Sequence, residues 1–563
     1  MKIGKTFLVI SLVIMIGCLM SCEPREDADT IYKNGNIYTM DDNNPEATAI
    51  AVSGDKIIYV GNDEDVYDYQ TGETNIVDLE GLTVIPGLTE SHIHFGSVGE
   101  NILIAPLDVY WLPLDELLDA IEEASAEAEP GKWITARGYN DAIWDVEPHR
   151  ELLDEVSPDN PVVIRRYCGH NLWVNSKALE RADITIDTPD PEAGTIIRDE
   201  AGVATGELIS AAGELVAKHI PPLPELTREE KLEALKLGSD EVLAAGITTV
   251  HDATASGKDM MELRKDAYED GFLKVRLMDA TDYDTAIEMG EPKTGLFDDR
   301  YSLRWVKMFV DGSLGGRGAA MLEEYDDQPG EKGALRELGQ DEDKYAEKVA
   351  DLLEVGFSTR THSIGDRGNR VTLNAFERAM EITGKSPEEA RLIVEHAQIL
   401  HPDDIERFGE LGVIASMQPI HATEDMLFVE DRIGEERAKY AYAWRSLLDS
   451  DAIIAGGSDY SVSPFNPFYG LHAAVTRQDR DNNPPEGWYP EQTMTREEAL
   501  KSYTVAPAYI EFSEDIKGSL KEGNLADFIV IDRDYFEIPA EEIHEIEVLK
   551  TVVGGDNVFE KEE

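Results

Sequence analysis

The stretch Leu82-Thr83-Val84-Ile85-Pro86-Gly87-Leu88-Thr89-Glu90-Ser91-His92-Ile93-His94 decides the fold prediction, because a short apolar run leads there into side chains that bind metals. We predict a strand over Leu82-Thr83-Val84-Ile85, ended by Pro86-Gly87. Successive side chains of an extended chain point to opposite sides, so His92 and His94 present both imidazoles on one side. The stretch therefore predicts a strand followed by a pair of candidate ligands.

Seven further β-rich runs alternate with helical segments along the middle of the chain, a pattern that favours a parallel α/β architecture. They cover residues 247–250, 274–278, 304–310, 356–361, 392–394, 413–417 and 452–455. With residues 82–85 they make eight units, the number that closes a (β/α)8 TIM-like barrel, which we assign to residues 84–507. The first two runs are too far apart for one connecting helix. Residues 97–240 are therefore predicted to hold an inserted subdomain.

Both ends of this middle region are rich in strand-forming residues and turns. Asn34-Gly35 is a hairpin signal between β-forming residues, and Asp527-Phe528-Ile529-Val530-Ile531 is typical of a strand. We predict that residues 29–83 and 508–563 form one small β-sandwich domain built from both termini.

The first 22 residues have the features of a targeting segment. Lys2 and Lys5 precede an apolar run over residues 7–20, which is shorter than the ~20 residues of a comfortable membrane span and fits a signal peptide. The run ends in Leu19-Met20-Ser21-Cys22, which resembles a bacterial lipobox, so Cys22 is the predicted lipidation site. We expect an exported protein of the cell envelope, anchored to a membrane by lipid. An ordinary signal peptide or an uncleaved anchor is the alternative.

Composition excludes several classes of protein. The chain has 563 residues, of which 42% are hydrophobic, and this is enough apolar material for a sizeable core. Its 114 acidic and 51 basic residues give a net charge of -63, which would repel a nucleic acid. The charge fits either a solubilising surface or adaptation to high salt, and both interpretations stay open. Three cysteines are too few for a disulfide scaffold or a thiolate zinc cluster.

Ligand-type side chains recur where the predicted strands end, which is the edge where barrels of this type carry their chemistry. They are His92, His94, Lys307, His362, His396 and Asp459. Imidazoles and carboxylates suit zinc or a similar divalent ion, which lowers the pKa of bound water to near 7. Asp459 can then take the proton of that water and pass it to a leaving nitrogen. Lys307 can ligate only as a carbamate, so the site is predicted to hold one or two ions.

Ordered motifs over nearly the whole chain after the leader resemble the metal-dependent amidohydrolase superfamily, and more closely its family-3, YtcJ-like branch. The motifs include Pro86-Gly87-Leu88 through His94, Gly246-Ile247-Thr248, Lys307 with Asp311-Gly312-Ser313, His362-Ser363-Ile364-Gly365, Glu395-His396-Ala397-Gln398 and Gly457-Ser458-Asp459. The resemblance implies hydrolysis of carbon–nitrogen bonds other than peptide bonds, as in amides, formamides or ureides, by attack of metal-bound hydroxide.

The same resemblance implies roles for particular residues. His92, His94, His362 and His396 match metal ligands, Asp459 matches the ligand and general base, and Lys307 matches a bridging carbamylated lysine. Glu90 stands where an Asp is more usual; we expect little effect, because this position does not touch the metal.

Three further residues are candidates for substrate binding: His170, Gln418 and His421. His170 can equally hold the insert in place. We expect a small amide-like substrate, and the sequence is compatible with a homodimer. Two other functions stay open, a lactonase or esterase that uses the same site and a surface lipoprotein that binds a ligand without catalysis.

Overall fold

Eight parallel strands at the centre of the molecule confirm the predicted barrel. The computed structural model describes residues 26–104, 107–166, 171–191, 194–221 and 225–562. The barrel strands are, in chain order, Leu88–Ile93, Ile247–Ala255, Arg276–Thr281, Tyr301–Phe309, Ser358–Ser363, Ile393–His396, Ile414–Met417 and Ile454–Gly456. Each pairs with the next in parallel, and the short strand Lys293–Gly295 adds to the fourth in antiparallel fashion. Their carboxyl ends therefore meet at one rim.

The first barrel strand is Leu88–Ile93, not the run 82–85 that we predicted. Thr83–Pro86 instead pairs with Asn36–Tyr38 and Phe528–Ile531 in the small β domain. Pro86-Gly87 separates two buried strands that belong to different sheets, since the Gly87 N–H donates to Asp527 while the Leu88 N–H donates to Gly246. The apolar run lies in the earlier strand, whereas Leu88–Ile93 is buried but consists mostly of polar residues, so the apolar run did not mark the barrel strand.

Helices cover the barrel and follow its strands. The longer ones are Phe95–Ile104, Arg228–Ala244, Lys258–Glu269, Tyr283–Met289, Glu342–Glu354, Asp366–Thr383, Pro402–Leu411, Pro419–Asp425, Val429–Ala438, Trp444–Asp449, Pro467–Thr476, Arg496–Ser502 and Val505–Ile510. Single turns lie at Leu296–Asp299 and Pro387–Ala390, with 3-10 turns at Asp65–Tyr69, Asp141–Ile143, Glu337–Gln340, Pro490–Gln492 and Ala540–Glu545. Local sequence sets the boundaries: Thr227 and Glu230 form a capping box that begins Arg228–Ala244.

The inserted subdomain is a six-stranded sheet with its own helices. In spatial order its strands are Gly194–Arg198, Ala204–Ser210, Asn171–Val174, Val162–Arg166, Ile134–Tyr139 and Leu107–Asp108. Its helices are Leu114–Glu127, Arg150–Val156, Ser176–Arg181 and Glu214–Ala217. The insert is shorter than the predicted 97–240, because Phe95–Ile104 and Arg228–Ala244 pack together on the barrel. Gly99 allows this close approach, since a Cβ there would lie 1.6 Å from the Ala234 carbonyl oxygen.

The small β domain consists of two sheets that share a core. One sheet has the order Lys56–Gly61, Ala49–Ser53, Thr30–Lys33, Asn75–Asp78; the other has the order Asp556–Glu560, Val548–Val553, Phe528–Ile531, Thr83–Pro86, Asn36–Tyr38, Glu46–Ala47. Tyr32, Ile50, Val84, Phe528 and Val552 are buried between them. The helix Val505–Ile510 extends past residue 508, and the C-terminal part of the chain enters the core of the small domain from Leu520 onward.

The predicted leader, residues 1–22 with Cys22, lies outside the described residues. Within the described ranges, no helix combines the length and the apolar character needed to cross a membrane.

The eighth strand meets the first through a glycine and a buried carboxyl group, without the regular pairing that joins the other neighbouring strands of the nearly closed barrel. The Oε1 atom of Glu90 accepts the N–H groups of Ser458 (2.8 Å) and His92 (3.2 Å), and the Asp459 N–H donates to the His92 carbonyl oxygen (2.7 Å). Burial raises the pKa of Glu90 to about 8. A Cβ on Gly457 would lie 2.6 Å from Glu90 Oε1 and 2.7 Å from His92 N. Glu90 thus connects the two strands that carry His92 and Asp459.

We expect Gly457→Ala to lower the free energy of unfolding by about 1–3 kcal/mol, because the added methyl group overpacks the seam between the first and eighth strands. Denaturant unfolding measures the change. Gly72→Ala is the matched control, since its Cβ meets nothing within 4 Å. Equal stabilities of the two variants would show that the seam tolerates a side chain.

Candidate metal centre

Six side chains from five strands, or from the chain just past them, lie at the carboxyl rim of the barrel. His92 lies on the first strand and His94 directly follows it, Lys307 is on the fourth, His362 on the fifth, and His396 ends the sixth. Asp459 follows the eighth strand by three residues.

These side chains converge on one point. His92 Nε2 and His94 Nε2 each lie 3.3 Å from Asp459 Oδ1. One ligand atom from each of His92, His396 and Asp459 lies within 4.8 Å of the other two. The ring centroids of His362 and His396 are 4.5 Å apart, and Lys307 Nζ is 3.4 Å from His92 Nε2. The structure therefore brings all six predicted residues into one cluster.

Three of the imidazoles are each held through their Nδ1 atom. His92 Nδ1 contacts the Glu395 carboxylate, His94 Nδ1 lies 2.9 Å from Thr254 Oγ1, and His396 Nδ1 lies 2.8 Å from Gln418 Oε1. A hydrogen bond at Nδ1 fixes the ring and leaves the lone pair of Nε2 available to bind a metal ion. This pattern orients imidazoles for metal binding.

The partner of His92 is part of a buried charge network that the sequence analysis missed. Arg360 donates from Nε to the Glu395 carboxylate and from Nη2 to the Ser91 carbonyl oxygen, and both Arg360 and Glu395 are fully buried. Although burial alone would raise it, Arg360 and His92 hold the pKa of Glu395 well below its ordinary value. Glu395 is therefore an anion that fixes the orientation of His92.

Glu395 and His396 are neighbours in sequence, and regular strand alternation would send them to opposite sides. His396 has a left-handed φ of 77°, so the alternation ends at this residue. Both side chains consequently reach His92, one at the Nδ1 atom and the other ring to ring at 4.9 Å. Asp459 also has a left-handed φ of 56°, and such conformations cost about 1–3 kcal/mol and concentrate at functional sites.

The protonation states suit a cation. Burial lowers the pKa of His362 to about 4, with Lys307 adding to the effect, and burial together with His362 and His92 holds that of His396 well below normal. Burial also lowers the pKa of Lys307. Although burial opposes it, His92 and His94 hold the pKa of Asp459 well below its ordinary value. At neutral pH the centre thus offers the neutral imidazoles of His362 and His396 and the carboxylate of Asp459.

A loop behind His362 is built on one buried carboxyl group. The Oδ1 atom of Asp311 accepts the Ile364 N–H (3.0 Å), and Oδ2 accepts those of Gly365 (2.8 Å) and Ala320 (2.9 Å). Burial raises the pKa of Asp311 to about 6. Asp311 therefore fixes the chain that follows the fifth strand, and its Oδ1 atom lies 3.8 Å from His362 Nε2.

The donor set fits a divalent ion. His362 Nε2 is buried and has no hydrogen-bond partner among the described residues, an arrangement that is costly unless a ligand occupies it. Nitrogen donors together with a carboxylate are the ligands that zinc prefers. His92 is 1% exposed and the His94 side chain 37%, so the centre opens to solvent on the side of His94.

The candidate substrate residues have different positions. Gln418 Oε1 lies 2.8 Å from His396 Nδ1, so Gln418 holds that ring, and its contact with substrate stays a prediction. His421 lies on the helix Pro419–Asp425, buried, and its Nε2 has no hydrogen-bond partner among the described residues. His170 lies outside the described residues, and its role stays a prediction.

Comparisons with known proteins agree with this arrangement. The model of the amidohydrolase family matches residues 75–559. The chain is 31% identical to the putative amidohydrolase YtcJ of Bacillus subtilis (strain 168), covering 94% of this chain and 99% of that protein. It is 28% identical to an N-substituted formamide deformylase of Arthrobacter pascens, with 95% and 98% covered. A crystal structure of an uncharacterized metal-dependent hydrolase from Pyrococcus furiosus matches with a TM-score of 0.66 at 27% identity, covering 90% of this chain and all of that one.

We expect Gln418→Ala to weaken zinc binding by about 10–100-fold, because His396 loses the partner that fixes its ring. Competition against a chelator of known affinity measures the change. Gln492→Ala is the matched control, since this glutamine is also buried but bonds to Ser446. Equal zinc affinity in the two variants would contradict the positioning role of Gln418.

Proposed function

Since this chain belongs to the amidohydrolase family and is a hydrolase, we propose that it cleaves carbon–nitrogen bonds other than peptide bonds in small amides, including N-substituted formamides. The observation that carries the proposal is the convergence of oriented imidazoles and the Asp459 carboxylate on one point. The similarity to an N-substituted formamide deformylase over 95% of the chain supports formamides as one substrate class.

The metal ligands in this proposal are His92, His94, His362, His396 and Asp459, and the ion is zinc. A divalent ion held there lowers the pKa of water and polarises the carbonyl oxygen of the substrate. Glu395, Thr254 and Gln418 hold three of the rings so that Nε2 faces the ion.

Asp459 is the proton carrier in the proposed reaction. Its carboxylate is anionic at neutral pH and lies at the solvent-open side of the centre beside His94. It takes a proton from the attacking water at one carboxylate oxygen and delivers it to the leaving nitrogen, which departs as the amine. The hydrogen bond from the Asp459 N–H to His92 keeps the carboxylate in place during both transfers.

Lys307 is proposed to carry a carbamate. Its buried amine lies 3.4 Å from His92 Nε2, and burial favours the neutral form that reacts with carbon dioxide. The amine nitrogen would bond to the carbon of carbon dioxide and release one proton to solvent, and the resulting carbamate would supply two oxygen ligands, enough for the centre to hold a second ion.

The sequence alone supports a location for this activity. We propose that the chain is exported and anchored by lipid at Cys22. Adaptation of the acidic surface to high salt and formation of a homodimer stay predictions.

We expect His92→Ala and Asp459→Asn to lower kcat for an N-substituted formamide such as N-benzylformamide by at least about 100-fold, through loss of a ligand and of the base. Formate release measures turnover, and elemental analysis measures bound zinc. His219→Ala, at an exposed histidine of the insert, is the control. Full activity in either site variant would refute the centre. Hydrolysis of lactones or esters in preference to amides would favour the C–O-bond alternative.

Carbamylation predicts a labelled lysine. We expect a carbon-13 carbamate signal after equilibration with labelled bicarbonate, and two zinc ions per chain. Lys307→Met keeps the length of the side chain without the amine, so it removes the signal and one zinc ion. The exposed Lys274→Met retains both. A single ion in both variants and in the parent would exclude the bridging carbamate.

A further inference from the structure

A cavity of about 450 Å³ lies between the inserted sheet and the loop that follows Asp459. We call it the mouth cavity; its lining includes Tyr110, Arg137, Arg165, Arg166, Tyr460 and Phe465. Tyr460 directly follows Asp459, and its carbonyl oxygen accepts the His94 N–H at 2.9 Å. The wall of the cavity is therefore attached to two residues of the centre.

The charge of the mouth cavity is opposite to that of the whole protein. Acidic residues outnumber basic ones by 114 to 51 in the chain, yet three arginines and a single acid, Asp108, line this cavity. A cluster of guanidinium groups attracts anions to this one place, while the acidic remainder of the surface repels them.

Strand register sets two of these cations side by side. The strands Ile134–Tyr139 and Val162–Arg166 are parallel, and Arg137 lies opposite Arg165. Neighbouring strands are about 4.8 Å apart, so the two side chains leave the same face next to each other. The register thus presents two guanidinium groups to the same side of the cavity, where both can donate hydrogen bonds to one anion.

Neutral groups hold Arg137 in place, whereas Arg166 has a carboxylate partner. Arg137 Nη1 donates to the Ser461 carbonyl oxygen at 3.0 Å, and its guanidinium carbon lies 5.6 Å from the centroid of the Tyr460 ring. Arg166 Nε donates to the Asp141 carboxylate at 2.6 Å and forms an ion pair with it. Among the described residues, no carboxylate forms an ion pair with Arg137.

Apolar groups complete the lining. Tyr460, Val462 and Phe465 come from the loop after Asp459, and the Tyr460 and Phe465 rings pack edge to face at 5.2 Å. A cavity with an apolar wall and a few placed polar groups is typical of sites for small organic ligands.

We propose that the mouth cavity binds a carboxylate of the substrate through Arg137 and Arg165, so that the preferred substrates are amides that also carry an anionic group. The identity of the cleaved bond in this inference rests on the proposed function, whereas the anion site itself does not depend on that function. A guanidinium binds a carboxylate through two parallel hydrogen bonds, which gives it both strength and orientation. The distance from this group to the metal centre then selects the length of the substrate.

Two formamides of equal shape test the proposal: 4-(formamidomethyl)benzoate and its neutral carboxamide, 4-(formamidomethyl)benzamide. We expect kcat/KM to favour the carboxylate at least tenfold in the parent protein, mainly through KM. Arg137→Gln and Arg165→Gln are each expected to reduce this preference at least tenfold, and Arg137→Lys to retain part of it. Arg181→Gln, at an exposed arginine of the insert, keeps the full preference. Equal rates on the two probes, or a preference unchanged in both glutamine variants, would overturn the inference.

A binding measurement separates this inference from the proposed function. Calorimetric titration with 4-methylbenzoate and 4-methylbenzamide requires no turnover. Tighter binding of the carboxylate that is lost in Arg137→Gln supports the anion site, even if neither formamide is hydrolysed. Carboxylate binding that persists in both glutamine variants would place the anion at the metal and overturn the inference. Thermal unfolding of each variant verifies that the fold is retained.

Discussion

The buried contact between Glu395 and the pair Arg360 and His92 is the constraint on which the rest of the site depends. A carboxylate inside a barrel is very unfavourable unless it is neutralised, and removing one partner of such a network typically costs 3–5 kcal/mol. Here one oxygen contacts the guanidinium and the other contacts an imidazole that faces the metal position. The Glu395 carboxylate therefore both stabilises the interior of the barrel and fixes the orientation of the His92 ring.

Other side chains of the centre are also held by hydrogen bonds from supporting residues. Thr254 and Gln418 fix two further rings, and Glu90 holds the eighth strand against the first. These supporting groups come from strands other than those whose rings they hold or from the chain just past them. A closed barrel suits this arrangement, because its circular order places each rim residue beside supports from its neighbours.

Much of this molecule could be predicted from its sequence, and the exceptions have physical causes. Seven of the eight barrel strands fall on runs of β-forming residues, and the ligand-type side chains follow them because function is confined to the rim. The first strand was misplaced because the apolar run lies in Thr83–Pro86 of the small domain, whereas the barrel strand Leu88–Ile93 is buried but mostly polar. Glu395 was missed because the left-handed backbone at His396 breaks strand alternation. The role of Glu90 was underestimated, since it acts across a seam that only the closed barrel creates.

The shared sheet of the small domain affects the order in which the chain can assemble. Thr83–Pro86 lies one residue before the strand of His92, and its neighbour Phe528–Ile531 is synthesised more than 400 residues later. During translation Thr83–Pro86 therefore stays unpaired on that edge until more than 400 further residues have been synthesised. Long-range pairing of this kind slows folding and exposes an edge that invites aggregation. The sheet that holds the beginning of the barrel in place is therefore completed only when Phe528–Ile531 has been made.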